Sequence, residues 1–555
     1  MLDEKKKLRA IDLYSGVGGW SLGLRLAGIE VVASYERWGP ANETNFKNNL
    51  HQAQIVDIRR LAFEDLPTDV DIVVGSPPCT QFSFSNRGGS GDIADGLEDI
   101  IRFLTIVDYL RPQVWAMENV PRVAKIIEHE LKPEGCLHQF QHLGIEAHVI
   151  NMEDYGLPQR RRRCIAGNFD HNLLTSYAKS LPGRTLADVV KSLAADSVVD
   201  PLFGLTVPKS ELRDHVQEDC LNAEETRINR ANKTLHTVYN AMPFPDRLGR
   251  SVRTITATCT RVSRESIVIE APEEPGAYRR LTIRERASLQ GFPVTFQFYG
   301  ASFSQKMRMV GNAIPPSFAY LVGQVFKGVR KEDLPDLKYD ATMLAPPSPF
   351  PIETPPDRPG ARFPRTRNFR FAIPNLQLKS GVRFELANDF KLGDPAWRVS
   401  FYFGNSKSIQ TIQLDGVLFD QLRQKLPGEV GAVIIPKLDA LALFIREADV
   451  TRMQTLWAHR GVGRTRAFML LDEIDDVAAM VVATLEGHID IARILVAEAI
   501  EVEHGEKSER LPGMAKLARH APLILAGMLI GSIVNRELSA YDGPITQTAP
   551  ERNLS

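Results

Sequence analysis

Cysteine is scarce in this chain. The five thiols stand at positions 79, 136, 164, 220 and 259. That irregular spacing excludes a disulfide framework and a zinc site, and it fits a reducing compartment. Long apolar runs are also missing. The most apolar stretch, Pro522 to Val534, is too short to span a bilayer and reads as a buried helix. Met1 to Arg9 is charged and lacks the apolar core of a signal peptide. These absences predict a cytoplasmic protein with no membrane partner. Excess charge of either sign is absent too: 67 basic and 68 acidic residues leave a formal net charge of -1. Any basic binding surface must therefore be local and balanced by acid elsewhere. Residues 367–555 carry no nuclease motif, helicase motif or zinc pattern. The length of 555 residues predicts about three or four domains.

What is present centres on Gly75-Ser76-Pro77-Pro78-Cys79-Thr80-Gln81-Phe82-Ser83. It follows a short apolar strand, Val70 to Val74. The Pro-Pro pair forces an extended turn and presents Cys79 at the strand's end. In an open α/β sheet that is where ligands bind. The alternative is a small buried cysteine. Upstream, Ala10 to Tyr14 reads as a strand and Ser15-Gly16-Val17-Gly18-Gly19 as a glycine-rich turn. The helix after it carries Trp20, Gly23, Leu24 and Ala27 on one face. Strand, glycine turn and helix open a nucleotide-type βαβ unit, in which a cofactor can approach the backbone closely. The strand Glu30 to Tyr35 ends in Glu36, about 20 residues after the turn, which suits ribose hydroxyls; the alternative is a solvated loop acid. Ile55-Val56-Asp57-Ile58 repeats the theme at a third strand end, where Asp57 taken alone reads as a turn residue.

Beyond Cys79, Asn86 to Asp92 is a polar, glycine-rich loop, read as a lid or a connector. A helix starts at about Leu97, with Leu97, Ile101 and Leu104 on one face. The strand Gln113 to Met117 delivers Glu118-Asn119-Val120, on the same rim as Cys79 if the sheet is parallel. Gln159 and the run Arg160 to Arg163 lead into a strand, Cys164 to Gly167. Such a run is solvated or phosphate-facing, and at a sheet rim it can aim guanidinium groups into a site.

Together these stretches resemble the DNA cytosine-5 methyltransferases, of the bacterial restriction-modification or phage-defence type. Asp12-Leu13-Tyr14-Ser15-Gly16-Val17-Gly18-Gly19 is similar to that family's first cofactor motif. Pro77-Pro78-Cys79 is similar to its nucleophile motif, Glu118-Asn119-Val120 to its acid motif, and Gln159 to Arg163 to its glutamine-arginine motif. Arg280 to Glu285 with Leu289 to Pro293, and Gly311 to Pro316, follow in the family's order. The resemblance covers about Leu8 to Val329. There are three departures: Thr80 intervenes before Gln81, Tyr14 replaces the usual phenylalanine, and Arg162 replaces a glutamate.

The resemblance implies an α/β, Rossmann-like S-adenosylmethionine-dependent methyltransferase with a doubly wound sheet, acting on double-stranded DNA, as a monomer and without metal. Cys79 is then the nucleophile, Glu118 the acid that donates to N3, Arg163 the group that binds O2, and Arg161 a positioning residue. Positive charge near Cys79 is expected to populate its thiolate. The implied cofactor set is Asp12, Tyr14, Ser15, Gly16, Gly18, Gly19, Glu36, Arg37, Trp38, Asp57, Ile58, Pro78, Leu97, Asn312 and Ala313. The implied DNA-binding set is Ser83, Ser85, Arg87, Gln159, Arg227, Arg230 and Lys233. Arg227 to Lys233 can equally be a solvated loop.

The expected division is a catalytic part over 1–170, a small inserted target-recognition domain over 171–253, and a second catalytic part over 254–335. A proline-rich, exposed linker over 336–366 leads to an α+β domain of unknown role over 367–555, a candidate surface for other proteins of a defence system. On this division a chain ending near Tyr339 keeps a complete core. The Asn168 to Arg253 interval shows no strong periodicity. Two other functions remain open: methylation of tRNA on the same scaffold, or a catalytically silent DNA-binding subunit.

Overall fold

The computed structural model describes residues 7–82, 92–179, 181–234, 241–337, 344–358, 369–378, 382–389, 396–405, 408–450, 453, 465–505 and 511–539. The chain divides into two compact units. One comprises Met1–Thr226 and Phe244–Pro359, the other Arg227–Pro243 and Gly360–Ser555.

The first unit is built on β1 (Arg9–Leu13), α1 (Gly19–Leu26), β2 (Glu30–Glu36), α2 (Gly39–Asn49), β3 (Ala53–Ile55), β4 (Ile72–Gly75), α3 (Ile93–Leu110), β5 (Val114–Asn119), α4 (Arg122–Glu130), β6 (Glu146–Asn151), β7 (Gln159–Arg160) and β8 (Arg162–Gly167). Seven strands form one sheet in the order β3-β2-β1-β4-β5-β8-β6. Strands β1 to β5 run parallel, and β8 runs antiparallel to both neighbours. The strand order reverses between β1 and β4, so the crevice at their carboxyl ends is the topological switch point where such sheets bind ligands.

Period-2 alternation explains the two covered faces. Ile11, Leu13, Val73, Trp115 and Met117 share a core with Ile100, Phe103 and Val107 of α3. Their strand neighbours Ala10, Ile72, Val74 and Ala116 face the opposite way. These pack with Trp20 and Leu24 of α1 and with Phe318 to Val325. A third core joins Leu186, Leu193, Leu205 and Leu212 with Ile255, Leu281, Leu289, Phe303 and Val310. Apolar packing is therefore continuous across the boundary expected at 253/254.

Three further expectations are corrected. First, the Asn168 to Arg253 interval contains helices α5 (His171–Ser176), α6 (Leu186–Ala194) and α7 (Ala223–Thr234). α6 starts at a Thr185–Asp188 capping box and buries Leu186, Val189, Val190 and Leu193. Second, part of the proline-rich stretch is not an exposed linker but packs on the first unit. Leu344 is 2% exposed and Thr354 5%. The Pro349 carbonyl accepts from the Tyr299 hydroxyl at 2.8 Å. The Ile352 carbonyl accepts from Lys306 Nζ at 2.8 Å, and the Glu353 carboxylate accepts from the Asp214 amide at 3.0 Å. Asp357 pairs with Arg280 at 2.7 Å. Arg280 is fully buried, and this pairing with its 2.7 Å contact to Glu218 offsets the cost of burying its charge. Third, the boundary between units falls at 359/360 rather than at 335/336, and residues 227–243 belong with the second unit.

The second unit is α+β, as expected. Strands Arg370–Gln377, Arg383–Asp389, Ala396–Asn405 and Ser408–Ile412 form an antiparallel sheet in chain order. The helix Ala521–Ser539 is long and apolar enough to cross a membrane by length and composition, but 83% of its apolar window is buried inside the protein. It is a core helix. Its Asn535 side chain donates to the Val399 and Leu414 carbonyls and accepts from the Val399 amide, which ties it to the sheet.

Candidate active site

The cofactor-side residues gather at the carboxyl ends of β1 to β3. Gly18 has φ +84°, a left-handed conformation, and caps α1. A Cβ added at Gly16 would meet nothing within 4 Å, so this side of the turn faces open space. The Glu36 carboxylate accepts from the Gly16 amide at 3.0 Å and the Trp38 amide at 2.7 Å. It thereby braces the turn as well as facing the crevice. Asp12 is fully buried and accepts from the amide and hydroxyl of Ser21. Burial pushes its carboxyl up to about 7, against those two hydrogen bonds. Asp12 Oδ2 therefore fixes the start of α1 from beneath, while its buried Oδ1 has no hydrogen-bond partner among the described residues. Ser15 is buried and its hydroxyl accepts from Asn45 at 3.3 Å, while Gly19 begins α1.

Tyr14, half-buried, donates to Asp99 at 3.1 Å. Arg37 is exposed, and the half-buried Trp38 lies under the Arg308 guanidinium at 4.8 Å. Asp57 caps a short turn by accepting from the Arg59 amide at 3.1 Å, with Ile58 buried behind it. Pro78 is half-buried and Leu97 is 8% exposed. Asn312 is exposed at the end of α9 (Phe303–Asn312), after α8 (Ile283–Leu289), and Ala313 is buried.

The thiol side occupies the adjoining rim. Cys79 is half-buried just past β4. Glu118 is delivered by β5, which pairs with β4 in parallel register, Gly75 opposite Met117. Because β8 runs antiparallel, its first residues lie beside the last residues of β5, with Cys164 opposite Asn119. That places Arg163 Nε 2.8 Å from Glu118 Oε1, with side chains 14% and 7% exposed. Arg161 is buried and donates to the Gly311 and Ala313 carbonyls at 3.2 and 2.9 Å. It thus ties the end of α9 to the thiol rim. Burial, helped by Arg163, lowers its pKa to about 9, while Glu118 and Cys79 oppose that shift. Its Nε and Nη1 have no hydrogen-bond partner among the described residues.

The electrostatics correct the expectation of a thiolate. Burial pushes the Cys79 thiol up, and the Glu118 carboxylate adds to the shift; Arg163 and Arg161 only partly oppose it.

The proposed DNA-binding residues fare differently. Ser83, Ser85 and Arg87 lie outside the described residues. Gln159 is fully buried. It donates to Leu289 O at 3.2 Å and Gln290 Oε1 at 2.7 Å, and accepts from the Ile255 amide at 2.8 Å. It braces the core and does not reach a base. Lys233 is fully buried with Nζ 3.1 Å from Asn229 Oδ1. Arg227 pairs with Asp472 and lies over Phe468 at 4.7 Å within the second unit. Arg230 alone of these three is exposed.

Two residues lie inside stretches the sequence reading singled out but received no role there. Asn119 donates to the Pro77 carbonyl at 3.1 Å and clamps the Cys79 turn to β5; its place directly after Glu118 was the available signal. Gln290 donates to the Ala313 carbonyl at 2.6 Å, a contact no local pattern reveals. Away from the rim, donor atoms of Glu146, His148 and His171 lie within 4.8 Å of one another. The His171 ring packs tilted between Phe169 and His148, at centroid distances of 4.1 and 4.2 Å.

The switch-point sheet, with a cysteine, an acid and two arginines on the adjoining rim, has the Rossmann-like fold of a methyltransferase. The chain belongs to the C-5 cytosine-specific DNA methylase family, whose model matches residues 8–327. It is therefore a DNA cytosine methyltransferase. It is similar to the Type II methyltransferase M.FnuDI of Fusobacterium nucleatum, 27% identical over 334 residues, covering 58% of this chain and 94% of the relative. It is also similar to the Type II methyltransferase M.NgoPII of Neisseria gonorrhoeae, 28% identical over 340 residues, covering 58% and 95%. Among solved structures, the S. pombe Dnmt2 methyltransferase aligns over 58% of this chain and 99% of its own, at 17% identity and a TM-score of 0.42.

Proposed function

We propose that the chain methylates C5 of a cytosine in a specific duplex DNA sequence through a covalent bond from Cys79 to C6. The observation that carries this reading is the convergence of Cys79, Glu118, Arg161 and Arg163 at the ends of three adjacent strands. C5 of cytosine is too weak a nucleophile to take a methyl group unaided. The Cys79 thiol passes its proton to the Glu118 carboxylate and the sulfur adds to C6, which makes C5 nucleophilic. Negative charge moves to the N3 and O2 edge of the ring, where the now protonated Glu118 donates to N3 beside the two arginines. When C5 has taken the methyl group, its proton passes to water, and the electrons of that C–H bond break the C6–sulfur bond and expel the thiolate. A base inside a duplex cannot reach Cys79, so the target must be flipped out.

The open side of Gly16, with Tyr14, Glu36 and Trp38 around it, fits S-adenosylmethionine. When bound there, that cofactor supplies the methyl group from a sulfonium. The chain's own residues hold it: Glu36 and Asp57 at the adenosine, Asn312 and the glycine turn at the methionine part. The relatives' Type II names support a role in marking self DNA in the cytoplasm, within restriction-modification or phage defence. The test is incubation with labelled S-adenosylmethionine and duplex DNA, tRNA or neither, followed by sequencing of the product. Label on C5 of a duplex cytosine is expected, and label on tRNA alone overturns the DNA assignment.

A further inference from the structure

Arg59 lies two residues past Asp57, and its guanidinium reaches α3. Nε donates to Asp99 Oδ1 at 2.9 Å and Nη2 to Asp99 Oδ2 at 2.8 Å, a bidentate fork. Nη1 meets Asp95 Oδ1 and Glu98 Oε2, each at 2.9 Å, and Nη2 also donates to the Asp95 carbonyl at 2.7 Å. Both acids of the central pair lead onward. Asp99 Oδ1 accepts from the Tyr14 hydroxyl at 3.1 Å. Asp95 Oδ2 accepts from Gln81 Nε2 at 2.8 Å, and Gln81 Oε1 accepts from the Asp92 amide at 3.1 Å. An unbroken line of hydrogen bonds thus runs Tyr14, Asp99, Arg59, Asp95, Gln81. It begins at the residue after β1, on the cofactor side, and ends two residues past Cys79.

Isolated surface ion pairs do little. This one is bidentate onto a carboxylate whose side chain is 11% exposed, so its geometry is fixed. Gln81 is held in turn to the start of α3, and the Phe82 amide donates to the Cys79 carbonyl at 3.0 Å. The Tyr14 hydroxyl supplies the end of the line nearest the glycine turn.

We propose that Arg59 is a positioning residue that couples cofactor binding beside Tyr14 to the placement of the nucleophile turn at Cys79. The proposal rests on the methyltransferase reading. Coupling of this kind is reciprocal: what the cofactor does to the thiol, the thiol turn does to cofactor affinity.

The test uses the full chain, S-adenosylmethionine calorimetry, and iodoacetamide labelling resolved by peptide. The exposed Cys136 serves as internal reference. In the wild type, saturating cofactor should change the Cys79 labelling rate about fivefold or more relative to Cys136. Arg59→Met should weaken cofactor binding by a similar factor and abolish the labelling response. Arg59→Lys, which keeps the charge but loses the fork, should fall between. Tyr14→Phe removes a single hydroxyl, keeps the ring, and should uncouple the two sites even if Arg59→Met fails to fold. A labelling response that survives in Arg59→Met, or in Tyr14→Phe where the first does not fold, overturns the proposal by reducing the network to a structural brace. A wild type that methylates DNA but shows no cofactor-dependent labelling overturns the coupling and leaves the methyltransferase reading intact. A wild type that binds no S-adenosylmethionine overturns both.

Discussion

Arg163 Nε lies 2.8 Å from Glu118 Oε1 because β8 runs against β5. The first residues of one strand therefore meet the last residues of the other, and a cation and an acid from separate strands share one rim.

Replacing Glu118 by Gln tests that pair in two ways. Methyl transfer at saturating DNA and cofactor should fall by about 10²-fold or more, the range of a lost general acid. Alkylation of Cys79 in the free protein should instead become faster, because the Glu118 charge helps hold the thiol protonated. Unchanged turnover counts against the acid role. Slower alkylation counts against the electrostatic account.

Cys79→Ser should abolish methyl transfer and leave S-adenosylmethionine affinity within about twofold, less than ~0.5 kcal/mol. Duplex DNA carrying 5-fluorocytosine should trap a covalent adduct on the wild type and none on the variant. A variant that turns over at the wild-type rate removes the covalent mechanism.

Burial shifts the Cys79 thiol upward from the free-cysteine value of about 8.5. Its alkylation rate should climb steadily from pH 7 to about 9 without levelling off, since thiolate is the reactive form. A plateau below about pH 8 would show that the arginines, not burial, decide its ionisation.

A chain ending near Tyr339 should not keep a stable catalytic unit. It would strip Glu353 from the Asp214 amide, the Ile352 carbonyl from Lys306 and Asp357 from Arg280. The buried Asp214 amide is orphaned, which costs about 1–3 kcal/mol, while Lys306 and Arg280 each lose one partner and keep Asp214 and Glu218. Urea denaturation should place this chain several kcal/mol below one ending after residue 359. Equal midpoints would return the stretch to the status of a linker.

Gln159→Ala should act on stability and not on DNA contact. It orphans the Ile255 amide and loses the bonds to Leu289 and Gln290, a cost of ~2–4 kcal/mol by urea denaturation. The slope of log affinity against log salt should stay that of the wild type, because no phosphate contact is removed. A shallower slope would restore a DNA-facing role.

The sequence alone determined whatever depends on near neighbours. Alternation along Ile72, Val73 and Val74 sets which side chains face each layer, and Pro77-Pro78 ends the strand just before the thiol. The glycine turn and the acid strand were legible for the same reason: backbone geometry and period-2 burial are local. Tertiary structure decided everything that needed a distant partner. Gln159 and Lys233 look like surface contacts in a basic, polar context, yet both are buried because other segments close over them. Lys306 and Asp214, 92 residues apart, meet under a proline-rich stretch whose composition suggests an exposed linker. The Cys79 thiol is pushed up because desolvation in the folded rim outweighs arginines that the sequence places only a few residues from each other. Burial and charge pairing depend on three-dimensional distance, which the order of residues along the chain does not encode locally.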